Sequence, residues 1–96
     1  MSYQLRLSSK AERQFDDVPD EFLDVVRESL HALAASPTSR SQRIASPPFA
    51  PRGQLFHFSA IGFGGSEWFF TVIFRFSQDE TALHILSITW REMIDE

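Results

Sequence analysis

The second half of the chain carries a histidine, two arginines and three hydroxyl residues at alternate positions of apolar runs. His57 lies within Gln54 to Ile61, Thr71 and Arg75 within Glu67 to Phe76, and Ser87, Thr89 and Arg91 in the last run. A pair of guanidinium groups suits a phosphate or carboxylate, which it can hold through bidentate hydrogen bonds. An imidazole exchanges protons near neutral pH, so His57 is a candidate acid or base. Residues two apart share one face of a strand, so these six side chains can line a single surface. A small antiparallel sheet also ordinarily turns one polar face to water. The residue types alone leave both readings open.

Other chemistries find less support. The chain has no cysteine, hence no disulfide, thiolate metal site or Cys nucleophile. Its histidines, His31, His57 and His84, have no clustered ligand spacing, so no metal site is expected. Gly62-Phe-Gly-Gly65 joins strand to strand rather than strand to helix, which makes it a hairpin turn and not a phosphate cradle, and no cofactor is expected. Asp79 and Glu80 fall in a turn, where carboxylates are simply solvated. Strict alternation along the last run places His84 toward the core and gives it a structural role. The same alternation puts Phe69 on the open face, as a stacking or partner surface.

The elements that must position these groups follow from pattern. Tyr3-Gln-Leu-Arg-Leu7 alternates apolar and polar residues as a half-buried strand does. Ser9-Lys-Ala-Glu12 reads as a capping box, with Ser9 the cap and Ala11, Phe15 and Val18 following at helical spacing. Pro19 interrupts that helix. Asp20 and Glu21 suit the positive end of a second one, whose stripe is Phe22, Val26, Leu30 and Leu33 and which ends at Ser36-Pro37. Residues 36–53, rich in Ser, Pro and Arg, read as a long irregular connection of the kind that is often functional. Arg40, Arg43 and Arg52 make it a candidate partner- or RNA-binding segment. Three strand runs with short turns then imply an antiparallel meander. On the middle run Trp68, Phe70, Val72, Phe74 and Phe76 are uniformly apolar and should meet the helices. The order strand, helix, helix, three strands predicts an α+β fold, an antiparallel sheet with two helices packed on one face.

Composition bounds the setting. Ninety-six residues are expected to form a single domain, 1–96, and 43% apolar with ten Phe is enough for one core. No segment approaches the roughly 20 apolar residues of a membrane span, and no signal-like run opens the chain, so a cytoplasmic protein is expected. The net charge of −4 argues against a nucleic-acid binder. The charge is uneven, however: acids lie from Glu12 to Glu28 and from Glu67 onward, and none from Ser29 to Ser66.

The sequence resembles the RelE/ParE toxin superfamily of bacterial type II toxin–antitoxin systems over nearly its whole length. The resemblance is carried by Tyr3-Gln-Leu-Arg-Leu-Ser-Ser-Lys-Ala-Glu-Arg13, Leu33-Ala-Ala-Ser-Pro37, Phe69-Phe-Thr-Val-Ile-Phe-Arg-Phe76 and Leu83-His-Ile-Leu-Ser-Ile-Thr-Trp-Arg-Glu92. It implies the fold just read from pattern, a cognate antitoxin that wraps the toxin, and one of two targets. Members of the ribosome-dependent branch are mRNA interferases, and ParE toxins, associated with plasmid stabilisation, poison DNA gyrase.

For the RNase branch the resemblance implies that basic residues on the open sheet face cleave mRNA in the ribosome. Arg91 matches the arginine after the fourth strand. Thr71 falls where a third-strand arginine is expected, with Arg75 four residues on. His57 is the one basic residue on the second strand, where the family has lysines. The family's C-terminal tyrosine has no counterpart in the sequence. RNA cleavage by 2′-hydroxyl attack needs a base, cations for the phosphorane and an acid for the leaving oxygen. His57 as base with Arg75 and Arg91 as phosphate binders is thus an incomplete set. The expected function is a toxin-like component that inhibits translation or gyrase. The alternative is a catalytically inert protein of the same fold that works only by binding a protein partner.

Overall fold

The computed structural model describes residues 3–43 and 53–93. The first strand, β1 (Gln4–Leu7), turns Leu5 and Leu7 toward the core. Helix α1 (Ser9–Asp16) begins directly after it. The cap is Ser8 rather than Ser9. Ser8 is still extended (φ −64°, ψ 164°), and its Oγ accepts from the Ala11 amide at 3.0 Å. Ser9 is already helical, and a cap must lie outside the helix so that its side chain can fold back onto the first turn.

Pro19 separates α1 from a 3-10 turn, Asp20–Phe22, which leads into α2 (Leu23–Ala35). Phe22, Val26, Leu30 and Leu33 of the anticipated stripe are all buried. The anticipated irregular connection is partly regular. Pro37 opens a short helix, α3 (Pro37–Arg40), at the position where its missing amide costs nothing. Ser41 closes it by donating to the Pro37 carbonyl at 2.6 Å. Strand β2 (Gln42–Arg43) follows, and the remainder of the connection, with Arg52, lies outside the described residues.

Strands β3 (Gly53–Ile61), β4 (Glu67–Phe76) and β5 (Ala82–Met93) form the expected meander. The sheet order is β1-β5-β4-β3-β2. Every pairing is antiparallel except β1 with β5, which is parallel, so the sheet is mixed. A parallel neighbour needs a long crossover, and the helices and the meander between β1 and β5 supply it. The architecture is α+β.

The core lies between the helices and one sheet face. Phe70 occupies its centre, stacked on Phe58 (4.9 Å, 3°) and edge-on to Phe22 (5.4 Å, 69°). Val72 and Phe74 are fully buried beside it, and Trp68 and Phe76 pack at its margins.

The last strand departs from strict alternation. Ile73 pairs with Ser87 but Phe74 pairs with Ile85, leaving Leu86 as an extra residue, a β-bulge. Leu83 and Ile85 are therefore wholly buried, although alternation counted back from Ser87 assigns them to the open face. His84 moves the other way. It pairs with Arg75 on the open face, not in the core. Two contacts, one from α1 and one from its cap, hold the bulge: Ser8 Oγ donates to the Leu86 carbonyl at 3.1 Å, and the Ile88 amide donates to Gln14 Oε1 at 2.8 Å.

Candidate functional site

Register arranges the open face in rows, because directly paired residues on neighbouring strands point the same way. One row joins His57, Thr71 and Thr89 across β3, β4 and β5, and the next joins Ser59, Phe69 and Arg91. His57 Nδ1 lies 3.2 Å from Thr71 Oγ1. In the tautomer in which Nδ1–H donates to that hydroxyl, Nε2 is the acceptor nitrogen. The imidazole also packs on Phe69 (centroids 5.3 Å, 33°). Phe69, Thr71, Thr89, Trp90 and Arg91 line a hollow of about 110 Å³ beside it. An imidazole, a phenyl ring, hydroxyls and a guanidinium therefore share two adjacent rows.

Arg75 is not among them. It follows Thr71 by four residues on β4, which at about 3.3 Å per residue is roughly 13 Å, and it stands about 20 Å from the row of Arg91. Its own row is Arg6, His84 and Arg75 across β1, β5 and β4. Arg75 and His84, with Phe76, Ser77 and Gln78, line a separate hollow of about 280 Å³. The open face thus carries two basic clusters at opposite ends.

Sequence reasoning missed Arg6 and misplaced His84. The apolar spacing Leu83, Ile85, Ile88, Trp90, two then three then two, carries the bulge and with it the true face of His84.

The other candidates are scattered. Arg40 is exposed at the end of α3, and Arg43 lies on β2 paired with Gln54. Among the described residues the single ion pair is Arg27 with Asp24 on α2 (3.4 Å), so the arginines of the open face have no carboxylate within ion-pair distance. No three metal-ligating side chains gather among the described residues, and no helix there is long and apolar enough to cross a membrane.

In the turn Ser77–Thr81 a proton equilibrium is displaced. Asp79 Oδ1 accepts from Ser77 Oγ (2.7 Å), from Thr81 Oγ1 (2.8 Å) and from the Thr81 amide (3.2 Å). These bonds, Ser77's foremost, favour the ionised form and lower the Asp79 pKa to about 2.

No protein-family model matches the chain, and no curated protein sequence does either. Solved structures do. A chain of the RelBE2 toxin–antitoxin complex from Mycobacterium tuberculosis superposes with a TM-score of 0.74 at 17% identity, covering 95% of this chain and 100% of that one. The isolated RelE toxin of E. coli gives 0.66 at 11% identity, over 98% and 89% of the two chains. A chain of the archaeal RelE–RelB complex from Pyrococcus horikoshii gives 0.54 at 15% identity, over 93% and 94%. These likenesses, each spanning nearly the whole of both chains, show that the chain has the fold of the RelE toxins.

Proposed function

We propose that this protein is the toxin-like component of a type II toxin–antitoxin pair, acting in the cytoplasm on RNA at the His57–Arg91 end of its open sheet face. The observation that carries the reading is the meeting of His57, Thr71, Phe69 and Arg91 on a fold shared over nearly its full length with RelE toxins. Two of the similar structures are complexes of toxin with antitoxin, which supports a cognate antitoxin as partner here.

The cluster fits a phosphodiester better than gyrase or a small metabolite. Phe69 offers a π-face to a base. Arg91 holds a phosphate oxygen through paired donors. His57 Nε2 takes the proton of the attacking 2′-hydroxyl, with Thr71 fixing the ring. No acid stands in the same two rows, so the leaving 5′-oxygen draws its proton from water. A missing acid commonly costs about 10²–10⁴ in rate. That makes this a slow ribonuclease whose substrate must be held in place by a larger assembly, such as mRNA on the ribosome.

Growth after induced expression tests the reading, with the natural protein compared to a His57→Ala, Arg91→Ala variant at equal soluble yield. Arrest that the variant relieves, with new RNA 5′ ends in arrested cells, is the expected result. Arrest without new RNA ends points to another target, gyrase among them. No arrest from folded natural protein supports the inert binding module instead.

A further inference from the structure

The row of Arg6, His84 and Arg75 belongs to no step of that chemistry. It crosses three adjacent strands, so the two guanidinium stems start only about 10 Å apart with an imidazole between them. Among the described residues neither guanidinium has a carboxylate within ion-pair distance. Arg6 reaches only the neutral Gln4 amide oxygen, at 3.5 Å. The hollow beside the row, about 280 Å³, has room for a phosphate group, with Ser77 and Gln78 on its wall.

We propose that Arg6, His84 and Arg75 form a second phosphate subsite that holds the RNA backbone several nucleotides away from the reacting phosphodiester. The inference rests on the RNA reading above and adds the length and path of the bound strand. Both clusters lie on the same face, separated along β4 by about 13–20 Å. A strand seated with a base on Phe69 and a phosphate on Arg91 runs along the face toward Arg75. A dinucleotide reaches only the first cluster, and a longer single strand reaches both. The substrate is then an extended single strand, because a duplex is too stiff to lie along a strand-length track and also present an unstacked base at Phe69.

The test is equilibrium binding of a labelled dinucleotide and of an RNA of about ten nucleotides, a usual span for single-strand grooves, over a salt series. The natural protein is compared with an Arg6→Gln, Arg75→Gln variant and with an Arg13→Gln, Arg27→Gln control. The control removes the same charge from the helical side, where both arginines are exposed. All substituted positions are on the surface, and circular dichroism verifies folding. The expected result is that at about 0.15 M salt the subsite variant binds the longer RNA about tenfold more weakly, as loss of two phosphate contacts implies. Its salt slope should fall by about 1.4, or 0.7 for each lost phosphate contact. The dinucleotide should bind it as it binds the natural protein, and the control should match the natural protein on both. Equal weakening by the control, or an unchanged salt slope in the subsite variant, overturns the subsite while leaving the RNA reading intact. Failure of the natural protein to bind the longer RNA also overturns the subsite, whereas the RNA reading itself stands or falls on new RNA 5′ ends in arrested cells.

Discussion

Replacing Ser8 by alanine tests the piece of local chemistry on which the open face depends. The Ser8 hydroxyl makes two bonds at once, accepting from the Ala11 amide at 3.0 Å and donating to the Leu86 carbonyl at 3.1 Å. Losing a serine cap costs about 1 kcal/mol. Losing the second bond strands a partly buried carbonyl at the bulge and costs about 1 kcal/mol more. Ser8→Ala is therefore expected to lower stability by about 2 kcal/mol, or Tm by about 8–16 °C in a domain of this size. Ser9→Ala is the matched control. Ser9 is exposed and already helical, so its loss should stay within about 0.5 kcal/mol. Urea denaturation of the three proteins, at a common m value, gives the comparison directly. A Ser8→Ala cost below about 0.5 kcal/mol, or a Ser9→Ala cost as large as that of Ser8→Ala, refutes the assignment of the cap and of the bulge anchor. The same variant should speed amide exchange at Ile88, whose amide donates to Gln14 Oε1 across the same α1–β5 contact.

Two further outcomes follow from hydrogen bonds seen in the structure. Asp79 has its folded-state pKa lowered to about 2 against an unfolded value of about 3.9, so its contribution is fully present above pH ~4 and is lost as pH falls toward 2. A carbon-detected carboxyl titration should show that depressed midpoint, and a midpoint near the ordinary value counts against the three-bond turn. Glu21 latches the β3–β4 hairpin by accepting from the Phe63 amide at 2.6 Å. Glu21→Ala should raise exchange at that amide about tenfold while global stability changes little, and unaltered exchange removes the latch.

Much of the architecture is readable from periodicity. The helical stripe of Phe22, Val26, Leu30 and Leu33 and the apolar face of β4 are buried as their spacing predicts, because the core needs each of those side chains. The errors arise where a single residue decides between close alternatives. Ser8 and Ser9 have the same side chain, and only the exit angle of β1 selects the cap. The bulge at Leu86 inserts one residue and inverts the faces on either side of it. One slip of count therefore puts His84 in the core and Leu83 and Ile85 in solvent. The parallel pairing of β1 with β5 leaves no local mark in either segment, because it depends on which edge of the meander remains free. The chemistry was harder to read than the fold for the same reason. His57, Thr71 and Phe69 are legible as one patch from alternation alone, whereas separating Arg75 from Arg91 requires the register.

The fold distributes the net charge of −4 unevenly, although Lys10, Arg13 and Arg27 stand with the acids of the helical side. Glu12, Asp16, Asp17, Asp20, Asp24 and Glu28 are exposed on the helical side. Arg6, Arg75 and Arg91 are exposed on the other side of the sheet, where Glu67 is the carboxylate that shares their face on β4. Helices and sheet pack with their axes about 10 Å apart, and the acids project away from the sheet beyond that. That distance exceeds the Debye length of about 8 Å at physiological salt. An anionic strand approaching the open face therefore meets the local arginines more strongly than the distant carboxylates. On the RNA reading proposed above, binding at physiological salt is expected in spite of the acidic net charge. The same geometry predicts that lowering the salt strengthens such binding less than for a uniformly basic protein, since the helical acids then come within range.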